Sequence, residues 1–157
     1  MLELIWAGIG GITGLLLKET KPRQIALAVA IGVMLGLIPK ANLLAFVLVL
    51  SLFLLRCNLG FGILAAALVS LTTIRLDVRI DLLGQKLLAN ASVVDLEATL
   101  FQYPLFAWTA LNNTLVLGSF VAGAIAFVPV YFAIFALCRI VMPRNEVVTE
   151  KPPDNPG

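Results

Sequence analysis

Apolar residues in this chain come in long blocks, with short polar patches between them. The apolar blocks cover residues 2–17, 24–38, 43–55, 59–74 and 114–142. Loops and membrane segments alternate in this way, since charged side chains are costly in hydrocarbon and favourable in the flanking water. Because a helix satisfies its own backbone groups in lipid, the pattern predicts an all-α integral membrane protein.

The second and third blocks are predicted to form a re-entrant or broken helical hairpin. At about 1.5 Å per residue each arm reaches roughly 20 Å, which is short of the roughly 30 Å of hydrocarbon in a bilayer. The arms meet at Pro39, Lys40, Ala41 and Asn42. A turn at membrane depth must pack inside protein or face a wet cavity. Two complete crossings by this stretch are the alternative.

Downstream of the hairpin, three shorter helices are predicted. Residues 59–74 indicate a third short helix, and residues 75–89 an amphipathic helix at the membrane interface, because their leucines and isoleucine form one stripe flanked by charges. A further helix over residues 93–103 would start from a capping-box-like pattern at Ser92. Pro104 should end that helix.

The last apolar block, residues 114–142, is long enough to span the bilayer unaided, and Pro129 should kink it. The aromatic residues just before this block resemble a belt at the headgroup level. They are Phe101, Tyr103, Phe106 and Trp108. Lys and Arg favour an arrangement with both termini in the cytoplasm.

The termini are expected to differ in character. Residues 2–17 carry Glu3 where a signal peptide would be basic, so they are expected to stay as a helix with a glycine-rich face at residues 8–14. Residues 1–144 are expected to form one membrane-embedded domain. Residues 145–157 are polar and rich in proline, which predicts a disordered tail.

Composition excludes several classes of function. The chain of 157 residues is 61% apolar and 13% charged, and it has no histidine. The missing histidine removes the commonest general base and metal ligand, so we expect no enzyme, metal or cofactor. A net charge of +2 without a basic stripe does not suit nucleic acid. Cys57 and Cys138 are expected to be buried free thiols.

The hairpin turn is the first candidate binding site. It contains Pro39, Lys40 and Asn42. One interpretation is structural, with the turn at an interface and Lys40 simply solvated. The other is a half-helix end beside a cation, which suits an anionic headgroup or substrate.

Two further polar sets are candidates. Asn112, Asn113 and Thr114 either cap the final helix or bond to a neighbouring helix or ligand. Asp81, with Gly84, is either a solvated acid or a group that fixes its helix by pairing with Arg79 or Arg56.

Four stretches make the chain resemble an uncharacterised family of small bacterial inner-membrane proteins, related to a larger group of domains of unknown function. They are KPRQIALAVAIGVMLGLIPKANL at 21–43, DLLGQKLL at 81–88, ALNNTLVLGS at 110–119 and VPVYF at 128–132. The resemblance implies a multi-pass location in the bacterial inner membrane and brings no activity. It also implies a larger envelope protein as a partner.

Two functions follow as hypotheses. The first is a non-enzymatic inner-membrane subunit that docks a larger envelope protein, with lipid transport as one role, through the small-residue faces at 8–14 and 60–67. The alternative is a small transporter or lipid-translocating protein. Its site would be formed by broken helices, and it would act as a homo-oligomer.

Overall fold

Residues 21–55 and 57–142 are described by a computed structural model, and within them the chain is helical with no strand. The helices are α1 (Pro22–Leu37), α2 (Leu43–Leu54), α3 (Leu59–Leu88), α4 (Ala91–Leu100), α5 (Pro104–Ala107) and α6 (Thr114–Val141). The predicted helix at 2–17, its small-residue face and the predicted tail at 145–157 lie outside these residues.

The first two helices confirm that both predicted arms are helical, with a break between them at residues 38–42. Pro22 opens α1, where its missing N–H has no intrahelical partner to lose. The helix ends before Pro39, which cannot donate to the carbonyl four residues earlier. Asn42 caps α2, because its Oδ1 accepts from the Ala45 N–H at 2.8 Å while its Nδ2 donates to the Pro39 carbonyl at 2.9 Å. The turn is thus built by local chemistry.

The separate interfacial helix at 75–89 was a wrong prediction. The helix that begins at Leu59 runs without a break for 30 residues to Leu88. Neither Gly nor Pro stands where the apolar sequence gives way to the charged sequence at Arg75, so nothing in the backbone stops the helix there. As a result α3 and α6, rather than α6 alone, are long and apolar enough to cross a membrane.

The segment between the two long helices also differs from the prediction. Asn90, and not Ser92, caps α4, which ends at Leu100, and Pro104 begins the short α5 instead of only ending a helix. The Leu43 N–H donates to the Trp108 carbonyl at 2.9 Å. This bond ties the segment before α6 to the start of α2.

The core lies where α1 packs against both long helices. Gly32 and Gly36 of α1 have backbone or Cβ atoms of α3 where their own Cβ atoms would stand, with Val69 Cβ at 2.6 Å from the Gly36 position. Because Gly32 approaches Gly62 while Gly36 approaches Ala66, α1 and α3 run in the same direction.

The small-residue face at 60–67 is therefore partly used inside the chain. Gly62 and Ala66 are buried against α1 and are unavailable to a partner in this structure. In contrast, α2 buries only Ala45 and Leu52 and lies at the edge of the bundle that the described helices form. Its large outward side chains are exposed, namely Phe46, Val47, Val49, Leu50, Phe53 and Leu54.

Candidate functional site

Lys40 folds back onto the end of α1 and does not simply extend into solvent. Its Nζ donates to the Gly36 carbonyl at 3.1 Å and to Ser70 Oγ of α3 at 2.6 Å. The last carbonyls of a helix lack intrahelical donors, and Pro39 makes that shortage worse. The lysine side chain thus supplies the donor that the broken helix lacks.

Two hydroxyls of α3 lie beside the same carbonyl. Ser70 Oγ and Thr73 Oγ1 are each 3.3 Å from the Gly36 oxygen, but their shorter bonds, 2.7 and 2.8 Å, go to carbonyls of α3 itself. A hydroxyl has one proton to donate, so those shorter bonds use it. Lys40 is therefore the principal donor to Gly36, and Ser70 acts chiefly as an acceptor that positions the amine.

An apolar groove begins at this amine. It has a volume of about 430 Å³ and lies between α2 and α3, open on one side. Its lining consists of Leu35, Lys40, Ala45, Phe46, Val49, Ile63, Ala66, Ala67 and Ser70. Binding sites for small molecules range from about 300 to 1,000 Å³ and combine apolar walls with a few polar groups. The volume of the groove falls within that range, and Lys40 is the charged side chain that the described residues contribute to its lining.

The second candidate region joins α3 to α6. Asp81 accepts a short hydrogen bond from Thr114 Oγ1 and a second one from Gln85 Nε2 at 2.8 Å. These are the partners that the structure gives Asp81, in place of the predicted Arg79, while Arg56 lies outside the described residues. The Asp81 and Thr114 motifs singled out in the sequence therefore meet in space.

Two glycines allow this meeting. A Cβ on Gly84 would overlap the carbonyl oxygen of Thr114, and one on Gly118 would overlap the carbonyl oxygen of Ile80. Since residue 84 pairs with 114 and residue 80 with 118, α3 and α6 are antiparallel there. We call Asp81, Gly84, Thr114 and Gly118 the α3–α6 contact.

Each of the two interpretations of the Asn-Asn-Thr set applies to a different residue. Asn113 caps α6, accepting from the N–H groups of Leu115 and Val116 at 2.9 and 3.4 Å. Thr114 bonds to the neighbouring helix, as described above. Asn112 is exposed.

The candidate residues fall into two separate places. Ser70 and Asp81 are 11 residues apart on α3, which corresponds to roughly 16 Å along the helix. Sequence reasoning did not identify Ser70, Thr73 or Gly118. The available signal for Ser70 and Thr73 was two hydroxyls three residues apart in an apolar helix, a spacing that puts them on one face.

Neither place gathers a set of metal-binding side chains from the described residues. No group of three or more Cys, Asp or Glu side chains is arranged there to hold a metal ion. Cys57 and Cys138 are free, and burial raises the pKa of the Cys57 thiol, which keeps it protonated and a poor nucleophile. On α4, burial raises the pKa of Glu97, whose Oε1 is buried and has no hydrogen-bond partner in the part of the chain that the structure describes.

Comparison with known proteins identifies relatives but no activity. Residues 12–146 match the family model described as "Uncharacterized protein conserved in bacteria (DUF2062)". An "Uncharacterized protein" of Treponema pallidum (strain Nichols) is 30% identical over 127 residues, which is 81% of this chain and 77% of that protein. No solved structure matches the chain.

Proposed function

The chain belongs to the DUF2062 family of uncharacterised bacterial proteins, and from that premise we propose that it is a non-enzymatic inner-membrane subunit that handles lipid beside a larger envelope protein. The observation that carries the proposal is the lateral groove between α2 and α3, which gives lipid a way into the bundle from the side.

Helix length and exposure support the membrane location. With 30 and 28 residues, α3 and α6 measure roughly 45 and 42 Å, more than the roughly 30 Å hydrocarbon core. Their outward faces carry large exposed apolar side chains such as Leu71, Ile125 and Leu137. An apolar surface of this extent marks a lipid or protein contact.

The two helices of the hairpin are shorter than these spans. Helix α1 has 16 residues and α2 has 12, so they reach roughly 24 and 18 Å. Placed beside α3 in a bilayer, the turn would lie below the far surface. Ser70, the partner of Lys40, is 11 residues from the start of α3 at Leu59, or roughly 16 Å. The groove and its amine would then lie near the middle of the hydrocarbon.

The exposed face of α2 outside the groove, which includes Val47, Leu50 and Leu54, is the place that we propose for the partner. A helix that ends inside hydrocarbon needs protein around it, yet in the part of the chain that the structure describes only Ala45 and Leu52 of α2 are buried. This replaces residues 60–67 as the docking surface, because Gly62 and Ala66 are already buried.

Extraction of the full chain from its own membranes in mild detergent tests the subunit role. We expect it to migrate as a complex with a second protein, and Leu50→Ala on α2 should weaken that complex. The matched control is Leu137→Ala on α6, since both leucines are exposed in the structure. A monomer with no partner, or equal weakening by the two variants, would refute the docking proposal.

The alternative is a lipid-translocating protein that works without a partner. The mid-depth position that we propose for Lys40 favours it, because ionisable groups inside membranes often mark substrate pathways. Liposomes containing a dithionite-quenchable fluorescent lipid separate the two functions. The subunit proposal expects no transbilayer exchange above empty liposomes. The alternative expects exchange that Lys40→Ala abolishes.

A further inference from the structure

We infer that the groove between α2 and α3 binds an anionic phospholipid, with the acidic headgroup on Lys40 Nζ and an acyl chain along Phe46, Val49 and Ile63. This inference rests on the proposed function and names the class of lipid for the same groove.

The Lys40 amine has one N–H group that neither of its two hydrogen bonds uses. A lysine ammonium carries three N–H groups, and two of them are used by the Gly36 carbonyl and Ser70 Oγ. Those two bonds hold the amine at the mouth of the groove. The third N–H is available to a ligand oxygen.

Charge complementarity selects an anion as the occupant. Among the described residues that line the groove none is acidic, and apart from Lys40 and Ser70 all of them are apolar. A cation in an apolar surrounding is costly unless a counter-ion accompanies it. A neutral or zwitterionic lipid brings no net charge to offset the ammonium, whereas an acidic phospholipid does.

The walls of the groove select a lipid over a free anion. Phe46, Val49, Ile63 and Ala67 are apolar, and three of them are large side chains that are substantially exposed: Phe46 at 62%, Ile63 at 60% and Val49 at 38%. Inorganic phosphate would leave these walls bare. An acyl chain would cover them while the headgroup stays on the amine.

Nanodiscs of zwitterionic phospholipid with a minor fraction of phosphatidylglycerol provide the test. After mild extraction of the full chain, native mass spectrometry counts the acidic and zwitterionic lipids that remain bound. Wild type and Lys40→Arg should retain acidic lipid preferentially. Lys40→Gln keeps a hydrogen-bond donor but loses the charge, and should lower the retained acidic fraction about tenfold, as expected for one charge-assisted hydrogen bond.

A matched charge control and a positioning variant complete the design. Lys86→Gln removes one positive charge from the exposed surface of α3, outside the groove, and should leave retention unchanged. Ser70→Ala leaves the Lys40 charge in place but removes its 2.6 Å acceptor, and should lower retention several-fold. Thermal unfolding of each variant shows whether it has kept its fold.

Three outcomes would overturn the inference. The first is equal acidic-lipid retention by Lys40→Gln and wild type, and the second is an equal loss in Lys86→Gln. The third is a dimer or heteromer that holds no acidic lipid, which would mean that protein fills the groove. Each leaves the subunit role standing, because that role depends on partner extraction and not on the lipid count.

Discussion

Replacing Gly84 with alanine should separate α3 from α6 and destabilise the protein. The added Cβ would lie 2.5 Å from the carbonyl carbon of Thr114 and 2.9 Å from its Cα. A flexible side chain could rotate away from such a contact, but a helix backbone cannot. The two helices must therefore move apart, which stretches the hydrogen bond between Asp81 and Thr114.

The size of the effect follows from two opposing terms. Overpacking of a close contact costs typically about 1–3 kcal/mol, and the rigid backbone on both sides places this case at or above the upper end. Alanine in a helix interior is favoured over glycine by about 1 kcal/mol. The net loss should be about 2 kcal/mol. At roughly 2–4 °C per kcal/mol for a chain of this size, Tm should fall by about 4–8 °C.

Thermal unfolding in a lipid-like detergent measures this effect. The matched control is Ala124→Leu, which enlarges an exposed small residue of α6 and should leave Tm nearly unchanged. Gly118→Ala should act like Gly84→Ala. The double variant should lose less than the sum of the two, since one separation of the helices relieves both overlaps. A rise in Tm for Gly84→Ala would mean that helix propensity dominates, and would refute the close approach.

Three further predictions concern single side chains. Thr114→Val removes a hydrogen bond to a carboxylate, so it should cost about 1.5 kcal/mol, and a double-mutant cycle with Asp81→Asn should show that most of this loss is coupling between the two residues. Asn113→Ala removes the cap of α6 and should cost about 1 kcal/mol, while Asn112→Ala, at an exposed neighbour, should cost little; equal losses in thermal unfolding would contradict the assigned cap. Burial raises the pKa of Glu97 in the folded state, so its contribution to stability is fully present below the unfolded pKa and is lost as pH rises through the folded pKa. Glu97→Gln should accordingly raise Tm at neutral pH and lose that advantage in acid, and a Tm difference independent of pH would contradict the shift.

The hairpin was predictable from sequence because its causes are local. Pro22 and Asn42 act within a few residues of where they stand, and Pro39 removes a donor from its own helix. The lack of glycine and proline around Arg75 is an equally local signal, and it indicates that the helix continues. Hydropathy suggested a boundary there, but a change of solvent preference does not interrupt a backbone, and α3 continues past it.

The two candidate places depend on contacts that no local pattern encodes. Lys40 and Ser70 are 30 residues apart, and Asp81 and Thr114 are 33 apart. Their pairing depends on how closely the helices pack, and the glycines at the crossings determine that distance. Sequence spacing indicated that Asp81 and Gly84 share a helix, but not that Gly84 lets a second backbone come within reach of the carboxylate.

The polar residues at these two places differ in whether the folded chain uses all of their charge and hydrogen-bonding capacity. Asn113 and Asn42 accept from helix N–H groups, and the Asp81 carboxylate accepts from Thr114 and Gln85. The Gly36 carbonyl is itself uncharged, so a neutral N–H or O–H donor would suffice to satisfy it. The charge of Lys40 therefore exceeds what the end of α1 requires, and this excess charge is what the anionic lipid proposed above would offset.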